Sequence, residues 1–157
     1  MKQYRLAILL LFFLVPLYAV AEIPAVKKLG KEATKQDDVE HFSAGSFMLG
    51  MAATFSNKEQ RDTFKMLENI EMIECKNREY APTLLARIMA IVQSVNARFI
   101  GSQDDGEALN ELYGVMRGDT ITELIIIVKS HSGDLGIVCM SGSIPEHRLA
   151  DIAKIKQ

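Results

Sequence analysis

Three histidines, two cysteines and a short acidic cluster are the groups of this chain whose types could do chemistry, and their spacing decides how much. His41, His131 and His147 lie far apart, and neither an H-x-x-x-H nor a C-x-x-C spacing accompanies them. Zinc-type sites need ligands at short, regular spacings, so no metal ligand is assigned. An isolated histidine in a polar loop reads as a solvated side chain, and His131, between Ser130 and Ser132, could at most tune a local contact with pH. Asp104, Asp105 and Glu107 could line a cation. The D-x-[DN]-x-[DN]-G spacing and closing glutamate of a calcium loop are missing, which leaves a solvated loop as the reading.

Nucleophile patterns are equally thin. Neither G-x-S-x-G nor S-x-x-K occurs, and neither cysteine has a histidine nearby in sequence. No catalytic or cofactor-binding residue is assigned and no cofactor is implied. The balance is toward a protein that is not an enzyme, the alternative being a hydrolase-like enzyme whose site assembles from separate loops. Arg117-Gly118-Asp119 spells an adhesion tripeptide, but Gly-Asp is ordinary turn chemistry.

Cys75 and Cys139 matter through their compartment. Lys2 and Arg5 precede an apolar run from Leu6 to Leu17, and Ala19-Val20-Ala21 places small residues where a signal peptidase cuts. The run is short and broken by Pro16, whereas a membrane span takes about 20 apolar residues. Residues 1–21 are therefore read as a cleaved signal peptide, and no lipid-attachment cysteine stands at the cleavage point. The expected location is the periplasm or outside the cell, where a disulfide between Cys75 and Cys139 could persist. Two buried thiols are the competing reading.

Removing Lys2 and Arg5 leaves 16 bases against 20 acids, a net charge of −4. Nucleic-acid binding calls for a basic patch, so nucleic acid is excluded as a partner, and no membrane span is expected after cleavage. The remaining 136 residues suit one domain.

The elements that must position any site follow from periodicity. Residues 22–41 are rich in Lys, Glu, Asp and small residues and read as a flexible leader. Phe47, Met48, Met51 and Phe55 recur at helical spacing within 42–55, against the weakening effect of Gly45 and Gly50. Ser56-x-x-Glu59 has the pattern of a capping box for a helix over 57–69, and Ile70 to Cys75 reads as a strand entered directly from it. Between Tyr80 and Ala97, Leu84, Leu85, Ile88, Ile91, Val92 and Val95 give the strongest helical signal, with Pro82 in the first turn. After the polar loop 101–106, runs at 109–116, 121–129 and 135–143 separated by Gly and Asp predict an antiparallel meander. A short helix is expected over 145–154, with Leu149, Ile152 and Ala153 inward.

Leu124 to Val128 is apolar at every position, so either helices cover both faces of that strand or one face waits for a partner. Ile125 and Ile127 are the candidate interaction residues on it. Ala86 and Ala90, on the small-residue side of the long helix, form a second candidate contact.

Taken together, the order of elements, the run Leu124-Ile125-Ile126-Ile127-Val128 after Glu123, and Gly136 to Ile144 with its Ser-Gly-x-Ile ending resemble the domain-of-unknown-function 4252 family over 42–155. The resemblance implies an exported or envelope protein of Gram-negative bacteria with no established activity, and it transfers no functional residue. Some relatives carry a lipid-attachment cysteine that is missing here.

The expected architecture is α+β: an antiparallel sheet of about four strands with the long helix packed on one face, additional short helices, and a single domain over 42–157. The expected function is an exported binding or accessory module that contacts an envelope protein, or a homo-oligomer that covers its own apolar surface.

Overall fold

The computed structural model describes residues 22–149. The signal-like segment 1–21, and Ile152 and Ala153 of the expected terminal helix, lie outside the described residues. In chain order the elements are α1 (Glu22–Ala33), β1 (Val39–Gly45), α2 (Ser46–Thr54), α3 (Lys58–Met66), β2 (Leu67–Cys75), α4 (Ala81–Ser94), β3 (Arg98–Asp104), β4 (Ala108–Arg117), β5 (Thr120–Ser130) and β6 (Leu135–Pro145), followed by a 3-10 turn at Glu146–Arg148.

The six strands form one sheet in the order β1-β2-β6-β5-β4-β3, and every neighbouring pair is antiparallel. The predicted meander is present as β4, β5 and β6. Arg117 pairs with Thr120, so Gly118 and Asp119 make the β4–β5 turn, with Gly118 at φ 64°, a conformation open to glycine at no steric cost.

The front face of the sheet carries the larger core. α4 presents Ala81, Leu84, Ile88 and Val92 at helical spacing, and α1 adds Val26, Leu29 and Ala33. Both lie over Val39, Ile73, Cys75, Ile125, Ile127, Ile137 and Cys139 from the strands. Asn77 starts α4 by accepting from the amides of Glu79 and Tyr80, each at 3.1 Å, while Pro82 occupies the first turn, where its missing N–H costs little. Arg87 on α4 ties down α1 through the Glu32 carboxylate, and that bond holds the Glu32 carboxyl below its ordinary range.

The back face is covered at one end only. There α2 and α3 pack Leu49 and Phe64 over Ala44, Leu67, Ile121, Leu124, Met140 and Ile144. α3 starts at Asn57, whose Oδ1 accepts from the Gln60 amide at 2.9 Å, and not through the Ser56–Glu59 box. Ser56 is still engaged with the preceding helix, donating to the Ala52 carbonyl at 2.6 Å.

Two expectations need correction. Residues 22–41 are no flexible leader: they form α1 and the start of β1, and three of their apolar side chains are fully or almost fully buried. The sheet has six strands and not four, because β1 and β3 carry no legible alternation. In β1 the inward positions include His41 and Ser43, which are polar. In β3 no residue is buried, so neither face selects apolar side chains. The helix expected over 42–55 accordingly begins only at Ser46, after the strand ends.

Candidate functional site

The inward polar positions of β1 meet a buried acid. Val39, His41 and Ser43 alternate on the front face, and Ser43 stands directly opposite Glu71 on β2. Glu71 is 2 % exposed. Its Oε1 accepts from Ser43 Oγ at 2.7 Å and its Oε2 is 2.7 Å from His41 Nε2, the ring nitrogen donating because a carboxylate can only accept. α1 closes the arrangement from above. Gly30 lies so close to the imidazole that a Cβ there would overlap the His41 ring.

Serine, histidine and glutamate within hydrogen-bonding reach invite comparison with a hydrolytic triad, and the connectivity differs. In a triad the base contacts the nucleophile and the acid orients the base. Here both Ser43 and His41 bond to Glu71, so the serine proton already points at a carboxylate and no imidazole nitrogen is placed to take it. The ring is sealed under Gly30. What the cluster does is satisfy three polar groups beneath a helix and tie β1 to β2.

The second feature is apolar and open. Along one row of the back face the strand register aligns Phe42, Met72, Val138, Ile126 and Leu112, neighbour to neighbour from β1 to β4. Phe42 and Met72 are about half exposed. Beside this row stands α2, which has no charged residue and is apolar around most of its circumference. Leu49 and Ala53 turn inward, and Met48 and Met51 are half exposed. Phe47 and the C-cap residue Phe55 project into solvent at 81 % and 87 % exposure. From Phe42 to Asn57 the chain has no Asp, Glu, Lys or Arg.

The candidate residues read from sequence are placed differently. Ile125 and Ile127 are fully buried under the front-face helices and form no interaction surface. Their neighbours Ile126 and Val128 point to the back face and are half-buried there. Ala86 and Ala90 are exposed on the outer side of α4, with no element of the described residues packed over them.

No bridge joins the cysteines; both are buried as thiols. Cys75 pairs with Leu135 and Cys139 with Glu71, which puts them four residues apart along adjacent strands. That separation is roughly 13 Å, about twice the Cα reach of a disulfide. Burial also pushes the Cys75 thiol up from its ordinary range.

Of the other groups, Asp104 and Asp105 bind their own loop. Asp104 Oδ1 accepts from the Gly106 amide at 2.9 Å and lies 3.2 Å from His131 Nε2, and Asp105 Oδ1 accepts from the Ala108 and Glu107 amides. These bonds lower both carboxyls. No group of three or more potential metal ligands occurs among the described residues. His147 sits in the terminal 3-10 turn. No helix among the described residues is long and apolar enough to cross a membrane.

Sequence reasoning missed the two features for different reasons. Phe47, Met48, Met51 and Phe55 recur at helical spacing, but period alone does not say which side of an all-apolar helix is covered. The Glu71 pairings cross 28 and 30 residues, and no local spacing reports them.

A family model described as a domain of unknown function, DUF4252, matches residues 32–152, from the end of α1 through β6. No curated protein and no solved structure is significantly similar to the chain.

Proposed function

The chain belongs to this family of unknown function, which offers no chemistry to transfer, and on that premise we propose that it is an exported, non-catalytic binding module that holds a protein partner against the back face of its sheet. One observation carries the reading: six large apolar side chains stand exposed, Phe42 and Met72 on the back face and Phe47, Met48, Met51 and Phe55 on or at the end of α2, which packs on that face. Large contiguous apolar surface is rare on proteins that work alone and marks interaction sites. The three methionines suit such a surface, because an unbranched thioether adapts to the shape of a partner's side chains.

The signal-like pattern of Met1 to Ala21 supports the envelope as the place of work. The enzymatic alternative gains no support from the sealed Ser43–Glu71–His41 cluster.

Site-specific photo-crosslinking in the producing cell tests the reading. A crosslinking side chain at Phe47 or Phe55 is expected to give a discrete protein adduct, and one at Ala86 none. Absence of a discrete adduct from either phenylalanine, or adducts with lipid alone, overturns it. Phe47→Ser and Phe55→Ser should abolish capture while changing stability by no more than about 0.5 kcal/mol, as exposed positions do.

A further inference from the structure

The outer edge of β3 is unpaired backbone at one end of the sheet. β3 pairs only with β4 and ends the sheet, and none of its seven residues is buried. Unpaired strand edges are templates for another strand, and proteins protect them with lysines, prolines or a covering element. Arg98-Phe99-Ile100-Gly101-Ser102-Gln103-Asp104 holds neither lysine nor proline. Its bulge, between Phe99 and Gly101, is turned inward: Ile100 lies over the sheet in the space that glycine leaves at position 114.

The charges of this strand complement each other end to end. Arg98 opens it, and Asp104 followed by Asp105 closes it. Arg98 has no ion pair among the described residues. An antiparallel copy of the same strand would set each Arg98 beside the other copy's acidic end, twice by symmetry, with no like charges opposed. The other sheet edge lacks this property, since β1 carries Glu40 and no lysine or arginine.

We propose that the protein self-associates through β3, two copies pairing antiparallel about a twofold axis into a continuous twelve-stranded sheet. Such a contact is isologous and closes on itself as a dimer. The twofold runs perpendicular to the sheet between antiparallel strands, so the back faces of both copies end on the same side. At about 4.8 Å per strand, the paired sheet spans roughly 58 Å and carries one apolar face from each copy on the same side of a twisted sheet. The inference goes beyond the binding role proposed above and does not depend on it.

Sedimentation of the purified protein over a concentration series, with two variants, tests the pairing. The native chain should shift from monomer to dimer, more weakly at high salt. Arg98→Asp, at an exposed and unpaired position, places acid at both ends of the strand and should weaken association at least about tenfold with an unchanged melting temperature. Gly101→Cys, at the strand centre on the twofold and with open space around an added Cβ, should cross-link to a dimer under mild oxidation, and Ala86→Cys should not. The proposal falls if the native chain stays monomeric throughout, or if Arg98→Asp associates as the native chain does. It falls equally if Phe47→Ser and not Arg98→Asp dissolves the dimer, an outcome that would leave the apolar face as the contact.

Discussion

His41 Nε2 lies 2.7 Å from Glu71 Oε2 across the β1–β2 pair, and both side chains are shut away from water at 9 % and 2 % exposure. Buried charged groups persist in folded proteins when they are paired and hydrogen-bonded. Glu71 meets both conditions through His41 and Ser43, and it ties the edge strand β1 to β2 beneath α1.

Replacing Glu71 by Leu removes one acceptor from each of two buried donors. The expected loss is about 3 kcal/mol in urea denaturation, the scale found when one member of a buried pair is deleted. Glu71→Gln keeps an acceptor oxygen and should lose less. Equal losses for the two variants would show that shape, and not hydrogen bonding, governs the site.

Gly30 reverses a common rule. Glycine to alanine within a helix ordinarily stabilises by up to about 1 kcal/mol, yet the added methyl here would overlap the His41 ring, which Glu71 prevents from moving aside. Gly30→Ala should destabilise by about 1–3 kcal/mol. Adding His41→Ala should recover most of that loss in a double-mutant cycle, and additive effects would place the strain elsewhere.

The thiols give a chemical check on strand register. Native protein should hold two buried thiols that react with a thiol reagent only after unfolding, and reduction should leave its mass unchanged. Protection beyond the denaturation midpoint would indicate a bridge, and with it a different β2–β6 register.

Acidification should open the β3–β4 hairpin before the core yields. Asp105 is lowered chiefly by the Ala108 and Glu107 amides, and Asp104 by the Gly106 amide and then by His131. A carboxyl depressed in the folded state contributes stability that is fully present above its unfolded value, about 3.9, and is lost as pH falls through the folded value. Amide exchange at Gly106, Glu107 and Ala108 should therefore accelerate below that pH while Ile125 and Ile137 stay protected. Simultaneous loss of protection at all five positions would refute a local opening.

The legible parts of the fold are those whose burial pattern matches their period. α4 shows its apolar face at Leu84, Ile88 and Val92, and the meander β4-β5-β6 shows hairpin chemistry at Gly118 and Gly133. β1 was hidden because His41 and Ser43 face inward, and their satisfaction depends on Glu71, a residue of another strand. β3 was hidden because an exposed edge demands no pattern. α1 was hidden by its lysines, although Val26, Leu29 and Ala33 are enough to seat it once α4 and the sheet provide a surface.

The same division separates what each level of description determines about the surface. By itself the sequence settled that 42–57 lacks charge and that Leu124 to Val128 is apolar throughout, since composition sets how much apolar surface must be placed. Which of it meets water was decided only by the tertiary structure. Pleating turned Ile125 and Ile127 under α4, while α2 and α3 covered just one end of the back face. Burial is a property of what packs against a residue, and packing partners are chosen by strand order and register rather than by neighbours along the chain.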